Sequence, residues 1–419
     1  MLDLRTMGER ARLAARLLAV AGTERKNFAL ESIADAIERQ AGSILAANAE
    51  DVKAARERGM PEPMVDRLML DRKRITSMAD GVRDVAYLDD PTEETVRGWR
   101  RPNGLYIREV RVPIGVIGMI YESRPNVTAD AAALCLKAGN AAILRGGAAA
   151  IHSNKAIAAA ITEGLSAAGL PVDSVQLVED TTHRSVEEMV TLDEYIDVII
   201  PRGGGSLIRA VVESSTVPVI RTGEGNCHIY VDADADLDIA ASVVTNAKAS
   251  RPSVCNAAET LLVHKDIAER ALPVIAHSLR EAGVEMRCCA ASAAILRDRS
   301  FACNDATEED WATEFLDYTI AVRVVDSLSA ALAHIAVYST GHSECIITDS
   351  RAAADRFTRS VDSAAVYVNA STRFTDGGQF GFGAEIGIST QKLHARGPMG
   401  LRELTTVKYI ITGNGQIRE

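Results

Sequence analysis

From about residue 110 onward, short apolar runs alternate with runs that have helical periodicity. The predicted strands lie at 112–121, 141–144, 175–178 and 196–201, and the predicted helices between them at 128–137, 149–168 and 185–192. Such an alternation predicts a parallel sheet with helices on both faces.

The same order of elements returns later in the chain. Predicted strands recur at 260–263, 320–325, 344–348 and 364–369, again with helical patterns between them. At 419 residues the chain is also longer than one typical core requires. We therefore predict an α/β protein with two doubly wound parallel-sheet domains, residues 1–226 and 227–395.

Two regions depart from this alternation. Residues 5–88 have helical spacing, set by Leu13, Leu17, Leu18, Ile33 and Ile37. Residues 101–112 alternate around a turn signal, Asn-Gly, and predict a protruding hairpin. We assign segments 98–112 and 396–419, the second with a predicted strand at 405–411, to an oligomerisation role outside the two domains.

Charge and cysteine content exclude several classes of protein. A net charge of -11 argues against nucleic acid as a partner. Seven irregularly spaced cysteines form neither a disulfide framework nor paired zinc ligands, which favours a reducing cytoplasm. The N-terminus lacks the layout of a signal peptide, and no apolar run approaches the length of a membrane span.

A metal site is not expected. The eight histidines show no zinc-binding spacing. The run Asp232, Asp234, Asp236 lacks the glycine and distal glutamate of a calcium loop. We interpret it as the cap and first turn of a helix at 237–248.

Cys255 lies in Arg-Pro-Ser-Val-Cys-Asn, between an alanine-rich helical run and the strand at 260–263. A thiol at the junction of a loop and regular structure can point into a cleft and act as a nucleophile when its pKa is lowered. A free cysteine is more often a small buried hydrophobe. The segment alone favours burial.

Glycine clusters follow two predicted strands, at Arg145-Gly146-Gly147 and at 202–206, which reads Arg-Gly-Gly-Gly-Ser. Backbone N–H groups at a helix start can hold phosphate oxygens, and an adjacent arginine can pair with them. One cluster alone is equally well explained as a chain turn. Two clusters at equivalent positions in one sheet favour an anion such as a dinucleotide, although the usual Gly-x-Gly-x-x-Gly fingerprint is missing.

Two further polar segments are candidates for the site. Asn126 follows the first predicted strand of the alternation and can donate to an oxyanion, but its position favours capping the predicted helix at 128. Residues 369–400 are dense in polar groups and glycine. Within them Arg373 follows a strand, where it is either a partner for a carboxylate or phosphate or a solvated surface residue.

Taken together, these segments resemble the aldehyde dehydrogenase superfamily over nearly the whole chain. The most specific stretches are 112–128, 200–204, the Cys255 segment and 383–400. The closest resemblance is to the branch that reduces an acyl phosphate in the second step of proline biosynthesis. The resemblance implies NADPH-dependent reduction of L-glutamate 5-phosphate to L-glutamate 5-semialdehyde and phosphate.

The resemblance also implies roles for individual residues. Cys255 would be the nucleophile that carries the acyl group as a thioester, with Asn126 as a candidate oxyanion donor. The substrate carboxylate or phosphate would be bound by residues that end two strands: Arg124, Ser371, Thr372 and Arg373. The NADPH side would comprise the glycine clusters, their first arginine and one glutamate: Arg145, Gly146, Gly203, Gly204, Gly205, Ser206 and Glu314.

One departure from the superfamily affects the expected chemistry. Hydrolytic aldehyde dehydrogenases carry a glutamate before a Gly-Gly pair, whereas this chain has Glu224 in a different local pattern. We therefore do not assign Glu224 as a base, which agrees with a thioester that must be kept from water. The alternatives are a non-phosphorylating NAD(P)-dependent aldehyde dehydrogenase and a non-catalytic nucleotide-binding protein. The resemblance further implies a dimer or tetramer of identical chains and a functional link to glutamate 5-kinase.

Overall fold

Helices occupy the first part of the chain, as predicted for residues 5–88. In the computed structural model, which describes residues 3–418, they are α1 (Leu4–Leu18), α2 (Thr23–Arg39), α3 (Ala41–Glu57), α4 (Glu62–Leu68) and α5 (Arg72–Tyr87). Leu18, Ile33 and Ile37 are buried as their spacing predicts. Leu13 and Leu17 are 62% and 59% exposed, so the prediction placed them on the wrong face of α1.

The first parallel sheet contains β3 (Val116–Tyr121), β4 (Ala141–Gly146), β5 (Val175–Leu177) and β6 (Val198–Arg202), in the order β5-β4-β3-β6. Its connections are α6 (Asn126–Lys137), α7 (Ile151–Ala167) and α8 (His183–Met189), and α9 (Gly205–Ser214) follows β6. Every residue of β3 and β4 is buried. Strands covered on both faces explain the continuous apolar runs in the sequence.

The predicted strand 112–121 is two strands that belong to different sheets. β2 (Tyr106–Pro113) ends before Gly115, whose φ of +134° suits glycine, and β3 begins at Val116. The Asp197 carboxylate accepts the N–H of Val116 at 2.8 Å and fixes this change of direction. The prediction was wrong because an apolar run shows no boundary when both strands are apolar.

A three-stranded antiparallel sheet contains β1 (Thr95–Arg100), β2 and β16 (Thr405–Thr412), in the order β1-β2-β16. β1 and β2 form the predicted hairpin, in whose turn Gly104 has a φ of +88°. All eight residues of β16 pair with β2. The two predicted outer segments therefore share one sheet.

The second parallel sheet has seven strands in the order β10-β9-β11-β8-β7-β12-β13. They are β7 (Cys227–Val231), β8 (Ala258–His264), β9 (Glu285–Cys288), β10 (Asn304–Asp305), β11 (Thr319–Val325), β12 (Ser343–Ile347) and β13 (Ala365–Val368). The accompanying helices are α10 (Leu237–Ala249), α11 (Lys265–Glu281), α12 (Ala290–Asp298), α13 (Leu328–Tyr338) and α14 (Arg351–Ser360). The predicted fold class, two parallel-sheet domains with a small antiparallel sheet, is confirmed.

The chain divides into two compact units. The first contains residues 3–222, 381–387 and 399–418, and the second 223–380 and 388–398, where the short strands β14 (Ile388–Ser389) and β15 (Gly397–Pro398) pair. The division lies four residues before the predicted boundary at 226. Residues 1, 2 and 419, included in the predicted segments, lie outside the described residues.

Candidate functional site

Cys255 lies in a turn between the end of α10 at Ala249 and the start of β8 at Ala258, in the second unit. Asp236 begins α10 by accepting the N–H groups of Asp238 and Ile239, so the predicted aspartate cap is confirmed. Cys255 is partly exposed and takes part in no disulfide. The thiol is therefore at a surface of this unit and not in its core, where the segment alone had placed it.

Gly225 packs directly against the backbone of Cys255. A Cβ at Gly225 would overlap the Cys255 carbonyl oxygen and lie 2.7 Å from its Cα, so only glycine fits. The Gly225 N–H donates to Glu314 Oε1 at 2.8 Å. Glu314, which the resemblance placed on the cofactor side, is thus two contacts away from Cys255.

The pKa of Glu314 is raised, chiefly by burial and further by the nearby charge of Glu224. The N–H of Gly225 acts in the opposite direction because it stabilises the carboxylate. A carboxyl group with a raised pKa can bind a hydroxyl group as either acceptor or donor. This chemistry suits a ribose partner.

Cys227 lies beneath the loop of Cys255. Its Sγ donates to the Cys255 carbonyl oxygen at 3.2 Å and lies 3.8 Å from His342 Nδ1. Burial raises the pKa of Cys227 well above its usual value, which keeps it a protonated donor. Of these two cysteines only Cys255 is placed to react with a ligand.

Asn256 connects the loop of Cys255 to the predicted substrate residues. Its Nδ2 donates to the Thr375 carbonyl at 2.9 Å, and its own carbonyl accepts the Thr372 hydroxyl at 2.7 Å. Arg373 Nη1 donates to Asn256 Oδ1, and Arg373 Nε donates to Ser250 Oγ at 3.1 Å. Two of the three predicted substrate residues after β13 are therefore hydrogen-bonded to the residue next to Cys255.

Several charged groups near Arg373 affect its pKa. Burial lowers its pKa and the neighbouring cation of Arg251 lowers it further, while the charges of Asp376 and Cys255 act in the opposite direction. A half-buried cation within electrostatic reach of a thiol favours the thiolate. Arg373 is accordingly part of the cysteine's surroundings and not a solvated surface arginine.

In the first unit, both glycine clusters meet at Glu122, which follows β3. Glu122 Oε2 accepts the Gly204 N–H at 2.9 Å, and a Cβ at Gly203 would lie 2.6 Å from that oxygen. A Cβ at Gly147 would lie 3.4 Å from the Glu122 Cα. The N–H of Gly204 at the start of α9 is therefore bonded to a carboxyl oxygen of the chain itself, and phosphate binding at this cluster stays a prediction.

Arg145 has a more local set of partners than the prediction assumed. Its Nη2 donates to the carbonyls of Thr181 and Thr182 at 2.7 and 2.9 Å, and its Nε to Ser185 Oγ at 3.3 Å. Only 8% of Arg145 is exposed, and burial lowers its pKa. Arg145 fixes the segment that leads into α8, and its contact with a cofactor stays a prediction.

Asn126 is not the helix cap that its position in the sequence favoured. Helix α6 begins at Asn126 itself, with Pro125 at the N-cap. The Asn126 Nδ2 donates to Asp130 Oδ2 at 2.8 Å, one helical turn further on. This bond fixes the direction of the amide, and the preceding Arg124 is partly buried.

The predicted site residues thus form two groups. One group lies in or beside the Cys255 loop of the second unit and comprises Cys255, Glu314 and residues 371–373. The other group lies at the carboxyl ends of β3, β4 and β6 in the first unit. The prediction missed Gly225, Asn256 and Glu122. Asn256 adjoins Cys255 and Glu122 ends a strand, but only the tertiary contacts mark them.

The described part of the chain has neither a metal-binding cluster nor a membrane-spanning helix. Among residues 3–418 no group of three or more histidine, cysteine, aspartate or glutamate side chains is arranged to hold a metal ion. Within the same residues, none of the helices has the length and apolar character needed to span a bilayer.

Known proteins resemble this chain throughout its length. The family model for the aldehyde dehydrogenase family matches residues 6–288. A gamma-glutamyl phosphate reductase from Caldanaerobacter subterraneus subsp. tengcongensis is 58% identical over 100% of both chains. One from Heliobacterium modesticaldum is 57% identical over 99% of each.

Solved structures agree with these matches. The crystal structure of gamma-glutamyl phosphate reductase from Thermotoga maritima has a TM-score of 0.97 at 52% identity and covers 100% of both chains. An acetylating aldehyde dehydrogenase from Geobacillus thermoglucosidasius has a TM-score of 0.69 at 18% identity, covering 99% of this chain and 97% of its own. The second comparison concerns the fold alone.

Proposed function

Because the chain belongs to the gamma-glutamyl phosphate reductases of the aldehyde dehydrogenase family, we propose that it reduces L-glutamate 5-phosphate to L-glutamate 5-semialdehyde and phosphate with NADPH. The chain is an oxidoreductase. The observation that carries the proposed mechanism is the partly exposed Cys255, held between Gly225 and the Asn256–Arg373 hydrogen bond.

Cys255 carries the glutamyl group in this mechanism. Its thiolate attacks the acyl carbon, a C–S bond forms, and the C–O bond to phosphate breaks with phosphate leaving. After hydride addition to the thioester carbon, the alkoxide of the thiohemiacetal re-forms a carbonyl and expels the thiolate. Sulfur suits both steps because it is a good nucleophile and a good leaving group.

Arg373 supports this chemistry by its charge. The guanidinium is half-buried, bonded to Asn256 and Ser250, and electrostatically coupled to Cys255. It stabilises the thiolate before attack, and it is our candidate, with Arg124, for binding a substrate anion. Ser371 and Thr372 lie on the same segment as Arg373; both are buried and Thr372 is bonded to the Asn256 carbonyl, so their contact with substrate stays a prediction.

The first unit would hold the cofactor. The N-terminus of α9 carries Gly203, Gly204, Gly205 and Ser206, and a phosphate there would take the place of Glu122 Oε2 at the Gly204 N–H. This donor set fits an anionic phosphate group. NADPH, when bound, supplies the hydride that reduces the thioester, and Glu314 would accept a ribose hydroxyl.

An assay in the reverse direction tests the proposal. Semialdehyde and NADP⁺ should give NADPH only when phosphate or another acyl acceptor is present. NADPH formed without an acceptor would instead indicate the hydrolytic aldehyde dehydrogenase, the alternative function, because water would then release the acid.

The variant Cys255→Ala should lower turnover by about 1000-fold or more, since the covalent step would be lost. NADPH binding, measured by fluorescence titration, should stay close to that of the unchanged chain. Cys303→Ala is the matched control, because Cys303 is also partly exposed, and it should retain activity. Full activity of Cys255→Ala would remove this thiol from the mechanism.

Self-association is the second part of the proposal. β16 is an edge strand of its sheet, and Val407, Tyr409 and Ile411 expose alternate apolar side chains on one face. We place a homodimer or tetramer contact there, since such edges and patches are usually covered. We further propose that the protein works in the cytoplasm. We also propose a functional link to glutamate 5-kinase, the enzyme that would make the acyl phosphate.

A further inference from the structure

The loop that carries Cys255 is closed at its base by a buried ion pair. Lys248 lies in the last turn of α10, and Glu259 is the second residue of β8. Their Nζ and Oε2 atoms are 2.5 Å apart, and neither side chain has exposed surface. Because the two residues flank the loop, the pair sets the separation of its two ends.

The same pair also contacts a third segment, Thr313–Leu316. Glu259 Oε1 accepts the N–H of Leu316 at 3.4 Å, and Lys248 Nζ lies 5.9 Å from the centre of the Phe315 ring. Leu316 has a φ of +54°, which is uncommon for a leucine and costs about 1–3 kcal/mol. The pair therefore supports a strained segment beside Glu314.

These contacts connect the Lys248–Glu259 pair to the backbone of Cys255. From the pair they pass through Leu316 to Glu314, whose carboxylate accepts the N–H of Gly225 at 2.8 Å. Gly225 in turn packs against the backbone of Cys255. Displacing the pair would therefore shift both sides of the cysteine loop.

The pair is expensive to bury. Burial raises the pKa of Glu259 and lowers that of Lys248, because each charged form is disfavoured away from water, and the attraction between the two groups acts in the opposite direction. Apolar residues of similar volume often stabilise a protein as well as a buried pair or better. Stability alone thus gives a weak reason for charges at these two positions.

We propose that Lys248 and Glu259 are positioning residues, which hold the Cys255 loop and the Glu314 segment in the one arrangement that lets the thiol react. The inference rests on the proposed role of Cys255 as nucleophile. Neither residue is assigned contact with substrate or cofactor; both act through the backbone that they hold.

The test replaces both charges by apolar side chains, Lys248→Met with Glu259→Leu. The matched control removes another buried pair, Lys26→Met with Asp90→Leu, whose atoms are also 2.5 Å apart but lie in the first unit. Three quantities are measured: the thermal midpoint, kcat and KM, and the rate of iodoacetamide alkylation of Cys255 against pH. Peptide mapping separates Cys255 from the partly exposed Cys289 and Cys303.

We expect the Lys248–Glu259 double variant to stay folded with kcat at least about tenfold lower and KM little changed, because misplacement affects the reacting geometry. The pH of half-maximal alkylation should rise by about 0.5 or more, since the thiolate loses its fixed surroundings. The control should keep kcat and the alkylation profile. A folded double variant with unchanged kcat and alkylation would overturn the proposal.

A variant that fails to fold does not end the test. Glu259→Gln keeps the volume and an oxygen for the Leu316 N–H but removes the charge, and the same loss of kcat at a similar thermal midpoint would support the proposal. Unchanged kcat in that variant would refute it. The alkylation profile needs no substrate, so it still decides if the unchanged chain does not reduce glutamyl phosphate.

Discussion

The contacts of a residue in the folded chain limit which side chains fit at its position. Gly225 has no room for a side chain because the backbone of Cys255 occupies the space, and its N–H is committed to Glu314. Gly81 in α5, by contrast, has no neighbouring atom within 4 Å of a built Cβ. The two glycines look alike in the sequence and differ entirely in their constraint.

Gly225→Ala should therefore destabilise the second unit by about 3 kcal/mol or more, because the backbone of Cys255 must move. The alkylation of Cys255 should change with it, as followed by peptide mapping. Gly81→Ala is the control and should stabilise the chain by up to about 1 kcal/mol, since alanine favours a helix. A Gly225→Ala variant with the original thermal midpoint and alkylation rate would contradict the contact.

At the scale of elements, the sequence predicted most strands and helices of the two sheets. It failed where neighbouring segments, and not local pattern, set the boundary. The run 112–121 divides at Gly115, where Asn140 accepts a hydrogen bond from the Gly115 N–H at 2.9 Å. β7 was missed because its buried polar residue, His228, breaks an apolar run.

The apolar face of the edge strand β16 should contribute to self-association. Ile411 is 55% exposed on the apolar face of the strand, so Ile411→Lys should leave the protomer folded. It should weaken self-association by about 1.5–3 kcal/mol, the free energy of burying such a side chain. Light scattering coupled to size-exclusion chromatography would measure the change.

Thr406→Lys is the control for this strand, because Thr406 is exposed on the opposite face. It should leave the molar mass unaltered. If both variants associate like the unchanged chain, the proposed contact lies elsewhere.

At the scale of the whole molecule, stability should depend on pH through buried histidines. Burial lowers the pKa of His342 to about 4, and burial with the neighbouring His228 and Arg323 lowers that of His334 to about 3. Unfolded histidine has a pKa near 6.5, so the folded state binds fewer protons between these values. Their contribution to stability is complete above pH 6.5 and is lost as the pH falls.

Each of the two histidines should contribute a loss that approaches about 1.4 kcal/mol per pH unit well below pH 6.5. His342→Asn keeps a polar partner for Ser343 Oγ, which lies 2.8 Å from His342 Nδ1, and removes one titrating ring. Between pH 6.5 and 5.0 its free energy of unfolding should fall by about 1.5 kcal/mol less than that of the unchanged chain.

Tryptophan fluorescence during urea unfolding would measure this difference. Trp311 is buried in the second unit, 5.6 Å from His334, and Trp99→Phe would leave it as the only tryptophan of the chain. Equal pH dependence in the two chains would mean that folding does not lower the pKa of His342.

The sequence by itself determined the class of fold and the family, and through the family resemblance it marked Cys255 as the candidate nucleophile. Hydrophobic periodicity is local, and the long motifs around Cys255 and after β3 identified the family. Tertiary structure decided what surrounds the thiol: Gly225, Asn256, Glu314 and the Lys248–Glu259 pair come from separate strands and loops. A burial-dependent pKa, a close backbone approach or a buried ion pair exists only once distant segments meet, so no local pattern can encode it.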